Sequence, residues 1–160
     1  MTKKGRKLSP STEDYLKTVY LLDRDNPPVR VRDISSGLGV SKPSVNQALH
    51  VLRDSGLINH ENYGYVELTA AGRITAGEIY SRHIKLCEFF CRILDVPNEI
   101  AERDACSIEH NISPETMNRL VKLTEYVSKG SGKEESLWQQ NFRHFVKTGN
   151  RSLKKEKKGR

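Results

Sequence analysis

The 160-residue sequence contains no run of about 18 apolar residues, the length that a membrane-spanning helix requires. Its basic beginning is followed by no apolar segment of the kind found in secretory signal peptides. These two absences predict a cytoplasmic protein that has no membrane partner.

Cysteine is scarce, because the chain contains only Cys87, Cys91 and Cys106. An odd number of cysteines in a chain expected to be cytoplasmic argues against a disulfide framework. Free, buried and metal-bound thiols remain as possibilities, and Cys91 is interpreted as a core residue.

Sequence signatures of catalysis are missing as well. The chain has no H-E-x-x-H motif, no glycine-rich phosphate loop and no serine nucleophile elbow. We therefore expect no enzymatic activity and no organic substrate. One alternative is a metallohydrolase, which would need an open metal coordination position and a general base in a cleft.

Basic residues are abundant but lie mostly at the two ends. Of the formal net charge of +7, residues 1–7 contribute +4 and residues 151–160 contribute +5, which leaves −2 for the interior. We interpret residues 1–7 and 149–160 as basic tails. Such tails suit polyanions and predict salt-dependent binding, although tails that serve only solubility are an equally good explanation.

The first half of the chain contains a helix-turn-helix pattern. A helix is predicted to start at Ser9 and to end at Asn26. A short helix over residues 32–38, a turn at 39–41 and a longer helix from Ser41 to about Asp54 then follow. The inner face of the longer helix is predicted to carry Val45, Leu49 and Leu52.

Two short strand candidates follow directly, Leu57–His60 and Tyr65–Leu68. Helix-turn-helix plus hairpin predicts a winged helix, a DNA-binding module. The small polar first turn of the longer helix suits close approach to phosphates, and glutamine can pair with adenine. The predicted DNA-contact residues are Arg32, Ser41, Lys42, Pro43, Ser44, Asn46 and Gln47. Because residues 30–68 carry no net charge, tails or dimerisation must assist binding.

The second half of the chain reads as all helical. Helices are predicted from Thr69 to about Asp95, through residues 102–110 to near Ile112, from Pro114 onward, and from Glu134 to about Lys147. A Gly-Ser-Gly linker at 130–132 precedes the last helix. We predict a winged-helix domain over residues 8–72 and a helical metal-binding and dimerisation domain over residues 73–148.

Residues 102–110 place metal-ligand side chains at helical spacing. Cys106 lies four residues after Glu102, three before Glu109 and four before His110, so these groups share one helical face. Thiol, carboxylate and imidazole are ligands of transition metals. The alternative is a solvated helix face with one buried cysteine. His83 and Cys87 share a face of the preceding helix, and His83 is equally well explained as a core histidine.

Several motifs together resemble the diphtheria toxin repressor family, the metal-dependent repressors that include the manganese transport regulators. The matching segments are Thr12-Glu13-Asp14-Tyr15-Leu16, Ser41-Lys42-Pro43-Ser44-Val45, Leu68-Thr69-Ala70-Ala71-Gly72, Arg82-His83 and Ala105-Cys106-Ser107-Ile108-Glu109-His110. The resemblance covers residues 9–128. It implies a mainly α fold, a repressor that binds palindromic operators in double-stranded DNA as a homodimer, and control of metal homeostasis genes.

The resemblance also implies two groups of metal ligands. The primary site falls on Asp14, Cys106, Glu109 and His110. Aspartate at the first position is typical of the manganese-type branch, cysteine at the second of the iron-type branch. A second acidic position of the manganese type falls on Lys17, which argues against a binuclear manganese site. The ancillary site falls on His83, Cys87 and Glu102, where the last two replace an acid and a histidine.

These residues predict a divalent transition metal, Fe(II) first and Mn(II) second, with Zn(II), Co(II) or Ni(II) binding in vitro. The hypothesis is that the metal ties the first helix to the second domain and sets the spacing of two DNA-binding modules. The iron-type branch also carries an SH3-like C-terminal domain, for which the chain is too short. The alternative function is a winged-helix regulator that no metal controls.

Overall fold

The computed structural model describes residues 8–60, 64–129 and 137–151. The element order is α1 Pro10–Asp25, α2 Val31–Leu38, α3 Lys42–Asp54, β1 Ile58–His60, β2 Val66–Leu68, α4 Ala70–Arg92, α5 Asn98–Ile108, α6 Pro114–Lys129 and α7 Leu137–Thr148. The chain divides between Ser81 and Arg82, within α4, into two compact units. None of the described helices has the length and apolar character needed to cross a membrane.

Local capping defines the start of α1. The Ser9 hydroxyl accepts a hydrogen bond from the Thr12 amide at 3.2 Å, and Pro10 occupies the first turn, where its missing N–H costs nothing. The helix ends at Asp25 and Asn26 is its C-cap, in agreement with the end predicted at Asn26. Leu16 and Val19 on its inner face are fully buried in the core of the first unit.

The helix-turn-helix prediction is confirmed. Gly39 ends α2 in the left-handed conformation (φ 65°), which glycine adopts without strain. The Ser41 hydroxyl then caps α3 by accepting from the Ser44 amide at 3.3 Å. The predicted inner residues of α3 are fully buried: Val45, Leu49 and Leu52.

The wing is a two-stranded antiparallel sheet in which Ile58 pairs with Leu68 and His60 pairs with Val66. Val29, just before α2, adds a bridge to Val66 and so joins the helix-turn-helix to the wing. The predicted turn between the strands falls largely on residues 61–63, which lie outside the described residues. The first unit is thus a winged helix, and the predicted mainly α fold is confirmed.

The second unit is helical, with a small core of Leu86, Cys87, Ala105 and Met117. Two predicted helix ends are wrong. Helix α4 ends at Arg92 rather than near Asp95, because the chain turns there and Asp95 itself adopts a left-handed φ of 57°. Helix α5 ends at Ile108 rather than near Ile112, although Glu109 still donates its amide to the Ala105 carbonyl.

Not every apolar residue of the second unit lies in its core. Leu123 of α6 is exposed, and Cys91, interpreted as a core residue, is only half-buried. No residue of α7 is buried, although Arg143 forms an ion pair with Asp95 at 2.7 Å. The predicted Gly-Ser-Gly linker, residues 1–7 and residues 152–160 lie outside the described residues.

Candidate metal centre and DNA-contact surface

His83 is a buried histidine on α4 with a carboxylate at each ring nitrogen. Its Nδ1 lies 2.7 Å from Glu109 Oε2, and its Nε2 lies 2.8 Å from Glu102 Oε2. Glu109 is fully buried, whereas the Glu102 side chain is half exposed. A buried polar ring needs such partners, and these two fix its orientation between α4 and α5.

Cys87 lies one turn after His83 on α4, and its Sγ is 3.5 Å from His83 Nε2. Burial, assisted by the negative charge of Glu102, raises the pKa of the Cys87 thiol to about 11. His83, Cys87 and Glu102 each offer one ligand atom, and these three atoms lie within 4.8 Å of one another. Nitrogen, sulfur and oxygen donors this close fit one transition-metal ion after side-chain shifts of about an ångström.

Glu109 also connects this cluster to His110. Its Oε1 lies 3.4 Å from His110 Nε2, and the His110 side chain is only 5% exposed. Cys106 lies in the last turn of α5, three residues before Glu109, and is exposed. In the second unit, Glu109 of the predicted primary set therefore contacts both His110 of the same set and His83 of the predicted ancillary set.

Asp14, the remaining predicted ligand, belongs to α1 in the first unit. Its Oδ1 lies 3.5 Å from Lys17 Nζ, and the Lys17 side chain is only 10% exposed. A positive charge thus lies beside Asp14 at the position where the manganese-type pattern has a second acid. This charge disfavours a second divalent cation at Asp14.

Most of the residues predicted to contact DNA form a polar outer face on α3. All seven are exposed to solvent: Arg32, Ser41, Lys42, Pro43, Ser44, Asn46 and Gln47. Arg32, Lys42 and Asn46 also line a groove of about 850 Å³ between α3 and the wing. The Arg32 guanidinium lies 3.2 Å from the Asp33 carboxylate, which offsets part of its charge.

The groove has further lining residues that the sequence prediction missed: Arg30, His50, His60 and Tyr65. The available signal for Arg30 was a basic residue between Val29 and Val31, directly before α2. Tyr65 and His60 belong to the predicted hairpin, but no local pattern indicates that they line the groove.

The sequence matches two family models. The first, the iron dependent repressor N-terminal DNA binding domain, matches residues 7–66. The second, the iron dependent repressor metal binding and dimerisation domain, matches residues 69–133. These matches extend from the first unit into the second, and they confirm the family that the sequence motifs predicted.

Named relatives agree with these matches. The chain is 32% identical to the HTH-type transcriptional regulator MntR of Geobacillus kaustophilus over 129 residues, 81% of this chain and 91% of that protein. It is 30% identical to MntR of Bacillus subtilis, over 81% of this chain and 90% of that protein.

Among solved structures, the manganese regulator SloR is similar at 27% identity with a TM-score of 0.65. The similarity covers 74% of this chain, which spans 55% of the SloR chain. The chain therefore belongs to the iron-dependent repressor family of metal-dependent transcriptional repressors, with a DNA-binding domain followed by a metal-binding and dimerisation domain.

Proposed function

We propose that this chain, as a homodimer loaded with a divalent metal, binds palindromic operators and represses genes of metal homeostasis. The observation that carries the proposal is the cluster in the second unit, in which His83, Cys87 and Glu109 are buried and Glu102 and His110 lie beside them. A winged helix with an exposed polar face on α3 precedes it in the same chain. The named relatives are transcriptional regulators, and no enzymatic role is proposed.

The primary ligands that we propose are Asp14, Cys106, Glu109 and His110. A divalent ion bound there would supply the positive charge that lets a thiolate and two carboxylates share one centre with an imidazole. Coordination by Asp14 would connect α1, and with it the winged helix, to this centre. Glu109 is the most deeply buried of the four, and His83 orients its carboxylate.

His83, Cys87 and Glu102 are proposed as the ancillary ligands. Two of them come from one face of α4, so the helix fixes their spacing, while Glu102 comes from α5. A metal ion bound by these three residues would hold α4 and α5 together next to Glu109. The ancillary set thereby supports the geometry of the primary one.

The choice of metal follows from the donor atoms. Cys106 adds a thiolate to nitrogen and oxygen ligands, which favours Fe(II), and in vitro Co(II), Ni(II) or Zn(II), over Mn(II). SloR, whose structure this chain resembles, is a manganese regulator, which makes Mn(II) the second candidate effector. We therefore place Fe(II) first and Mn(II) second.

Metal coordination by Asp14 would restrict the relative positions that the two winged helices of a dimer can adopt. A restricted dimer matches two operator half-sites about 34–36 Å apart, one turn of DNA. Ligand at about 100 times its dissociation constant stabilises the binding-competent state by about 2.7 kcal/mol, equivalent to roughly a hundredfold in DNA affinity. This free energy is enough for a switch.

The test is a gel-shift titration of the unmutated protein on a duplex from its own upstream region, without metal and with each of Fe(II), Mn(II), Zn(II) and Co(II). A matched scrambled duplex serves as the control. We expect at least a tenfold gain in affinity with Fe(II) or Mn(II), confined to the upstream duplex. Equal affinity with and without every metal would support the alternative, a winged-helix regulator that no metal controls.

A further inference from the structure

The groove between α3 and the wing carries an excess of positive charge. Its lining residues include Arg30, Arg32 and Lys42, and none of the described lining residues is acidic. A concave surface with excess positive charge attracts an anion of matching shape. Among these cations, Arg30 is the one whose position depends on the wing.

The Arg30 backbone is fixed at a junction. The preceding residue, Val29, accepts a hydrogen bond from the Val66 amide at 2.9 Å. The Arg30 carbonyl accepts from the amides of Asp33 and Ile34 at the start of α2. Arg30 is thus the N-cap residue of α2, and its side chain makes no capping hydrogen bond there. A cation at the positive end of a helix is unfavourable, so capping does not explain an arginine here.

The wing holds the Arg30 side chain through Tyr65. Arg30 Nη2 donates to Tyr65 Oη at 3.2 Å, and the guanidinium lies over the Tyr65 ring, 5.1 Å from its centroid. The Tyr65 carbonyl in turn lies 3.4 Å from His60 Nδ1 on the facing strand. Arg30 and Tyr65 are both exposed, and a pair exposed to solvent contributes little to folding stability.

We propose that Tyr65 is a positioning residue that orients the Arg30 guanidinium toward a backbone phosphate of DNA in the groove. Arginine has five N–H donors, and this contact with Tyr65 engages only one nitrogen, so the rest of the fork can face a phosphate. This inference rests on the proposed DNA-binding function and adds that the wing contributes to affinity by ordering Arg30. A phosphate contact carries no sequence information, so its effect is uniform across sequences.

The experiment measures DNA affinity by fluorescence anisotropy from about 50 to 300 mM salt on the upstream and scrambled duplexes, with the full chain and Mn(II). The variants are Arg30→Ala, Tyr65→Ala, Tyr65→Phe and the Arg30→Ala/Tyr65→Ala double. The matched controls are Arg24→Ala and Tyr80→Ala, because Arg24 lies over the Tyr80 ring at 5.4 Å and neither residue lines the groove. Thermal unfolding and metal titration establish that each variant folds and binds Mn(II).

We expect Arg30→Ala to weaken binding about tenfold on both duplexes and to lower the salt slope by about 1. Tyr65→Ala is expected to weaken binding threefold to tenfold, Tyr65→Phe by less, and the double variant by no more than Arg30→Ala alone. The control variants leave affinity and slope unchanged. Inorganic phosphate at millimolar concentration should not compete beyond its contribution to ionic strength, because the proposed ligand is the DNA backbone.

Additive losses in the double variant, or an unchanged salt slope in Arg30→Ala, would overturn the inference. Specific competition by free phosphate would overturn the assignment of the ligand. If the unmutated protein binds the upstream duplex in a metal-dependent way while Tyr65→Ala behaves like the controls, only this inference fails. If the unmutated protein binds neither duplex, the proposed function fails together with it.

Discussion

Glu109 Oε2 and His83 Nδ1 lie 2.7 Å apart in the interior of the second unit, so a hydrogen bond joins the predicted primary and ancillary ligand sets. Glu109 comes from the end of α5 and His83 from α4, 26 residues earlier. Residues that orient a ligand influence a metal site almost as strongly as the ligands themselves. The expected effect of replacing His83 follows from this relationship.

Replacing His83 is expected to weaken the primary metal site although His83 is not one of its proposed ligands. In His83→Gln, Glu109 loses the ring that orients it, and we expect the metal affinity of the primary set to fall about 10- to 100-fold. Calorimetric titration with Co(II), performed with Cys87→Ser as background to suppress the ancillary set, measures this affinity. His144→Gln on the exposed side of α7 is the control. Equal affinities in the two variants would contradict the orienting role.

Metal binding at the ancillary set should depend on pH through Cys87. Burial raises the pKa of this thiol to about 11, so the thiol is protonated near neutral pH and must lose its proton to become a ligand. Metal affinity therefore rises with pH, by about one logarithmic unit per pH unit from this group alone. Zn(II) competition titrations between pH 6 and 8 should give a slope about one proton steeper for the unmutated protein than for Cys87→Ser. Identical slopes would mean that Cys87 is not a ligand.

Lys17 is expected to lower the affinity of the primary site. Its ammonium lies 3.5 Å from Asp14 Oδ1, and the Lys17 side chain is largely buried. Charges of +1 and +2 about 5 Å apart repel by roughly 1.7 kcal/mol even at a dielectric constant of about 80. Lys17→Met should therefore tighten metal binding about tenfold, measured by competition with a chelator. Lys122→Met, an exposed substitution on α6, is the control. An unchanged affinity in Lys17→Met would argue that Asp14 is not a ligand.

The wing and α4 meet where only glycine fits. A Cβ added at Gly72 would lie 1.8 Å from the Leu57 carbonyl oxygen, a backbone atom that cannot rotate away. We expect Gly72→Ala to lower the free energy of unfolding by about 1–3 kcal/mol.

Gly77→Ala is the matched control on the same helix, because its nearest neighbour would be the Tyr20 hydroxyl at 4.0 Å. Alanine inside a helix should raise stability by roughly 0.5–1 kcal/mol. Urea unfolding of the metal-free protein distinguishes the two variants, and equal stabilities would refute the close approach at Gly72.

Local signals in the sequence predicted much of the fold. Ser9 and Ser41 were recognisable as caps, since their hydroxyls precede apolar periodic segments, and Gly39 was recognisable as a turn. The end of α4 was not predictable, because the residue with left-handed backbone there is Asp95 and not a glycine. The end of α5 was not predictable, because residues beyond Ile108 keep the helical spacing of apolar side chains.

The candidate site was predictable in its residue types but not in its connections. The spacing of Cys106, Glu109 and His110 indicated metal ligands, and family motifs assigned His83 to a second set. The hydrogen bond between His83 and Glu109 joins two helices, so no local pattern contains it. Likewise, Arg30 and Tyr65 are 35 residues apart and meet only because Val29 pairs with Val66.

The most direct test of the account compares operator affinity with and without Fe(II), under anaerobic conditions, for the unmutated protein and for Cys106→Ala/His110→Ala. We predict a gain of at least tenfold on Fe(II) addition for the unmutated protein and no gain for the double variant, with equal metal-free affinity in both. An Fe(II)-dependent gain of the same size in the double variant would contradict the assignment of Cys106 and His110 as ligands of the regulatory metal.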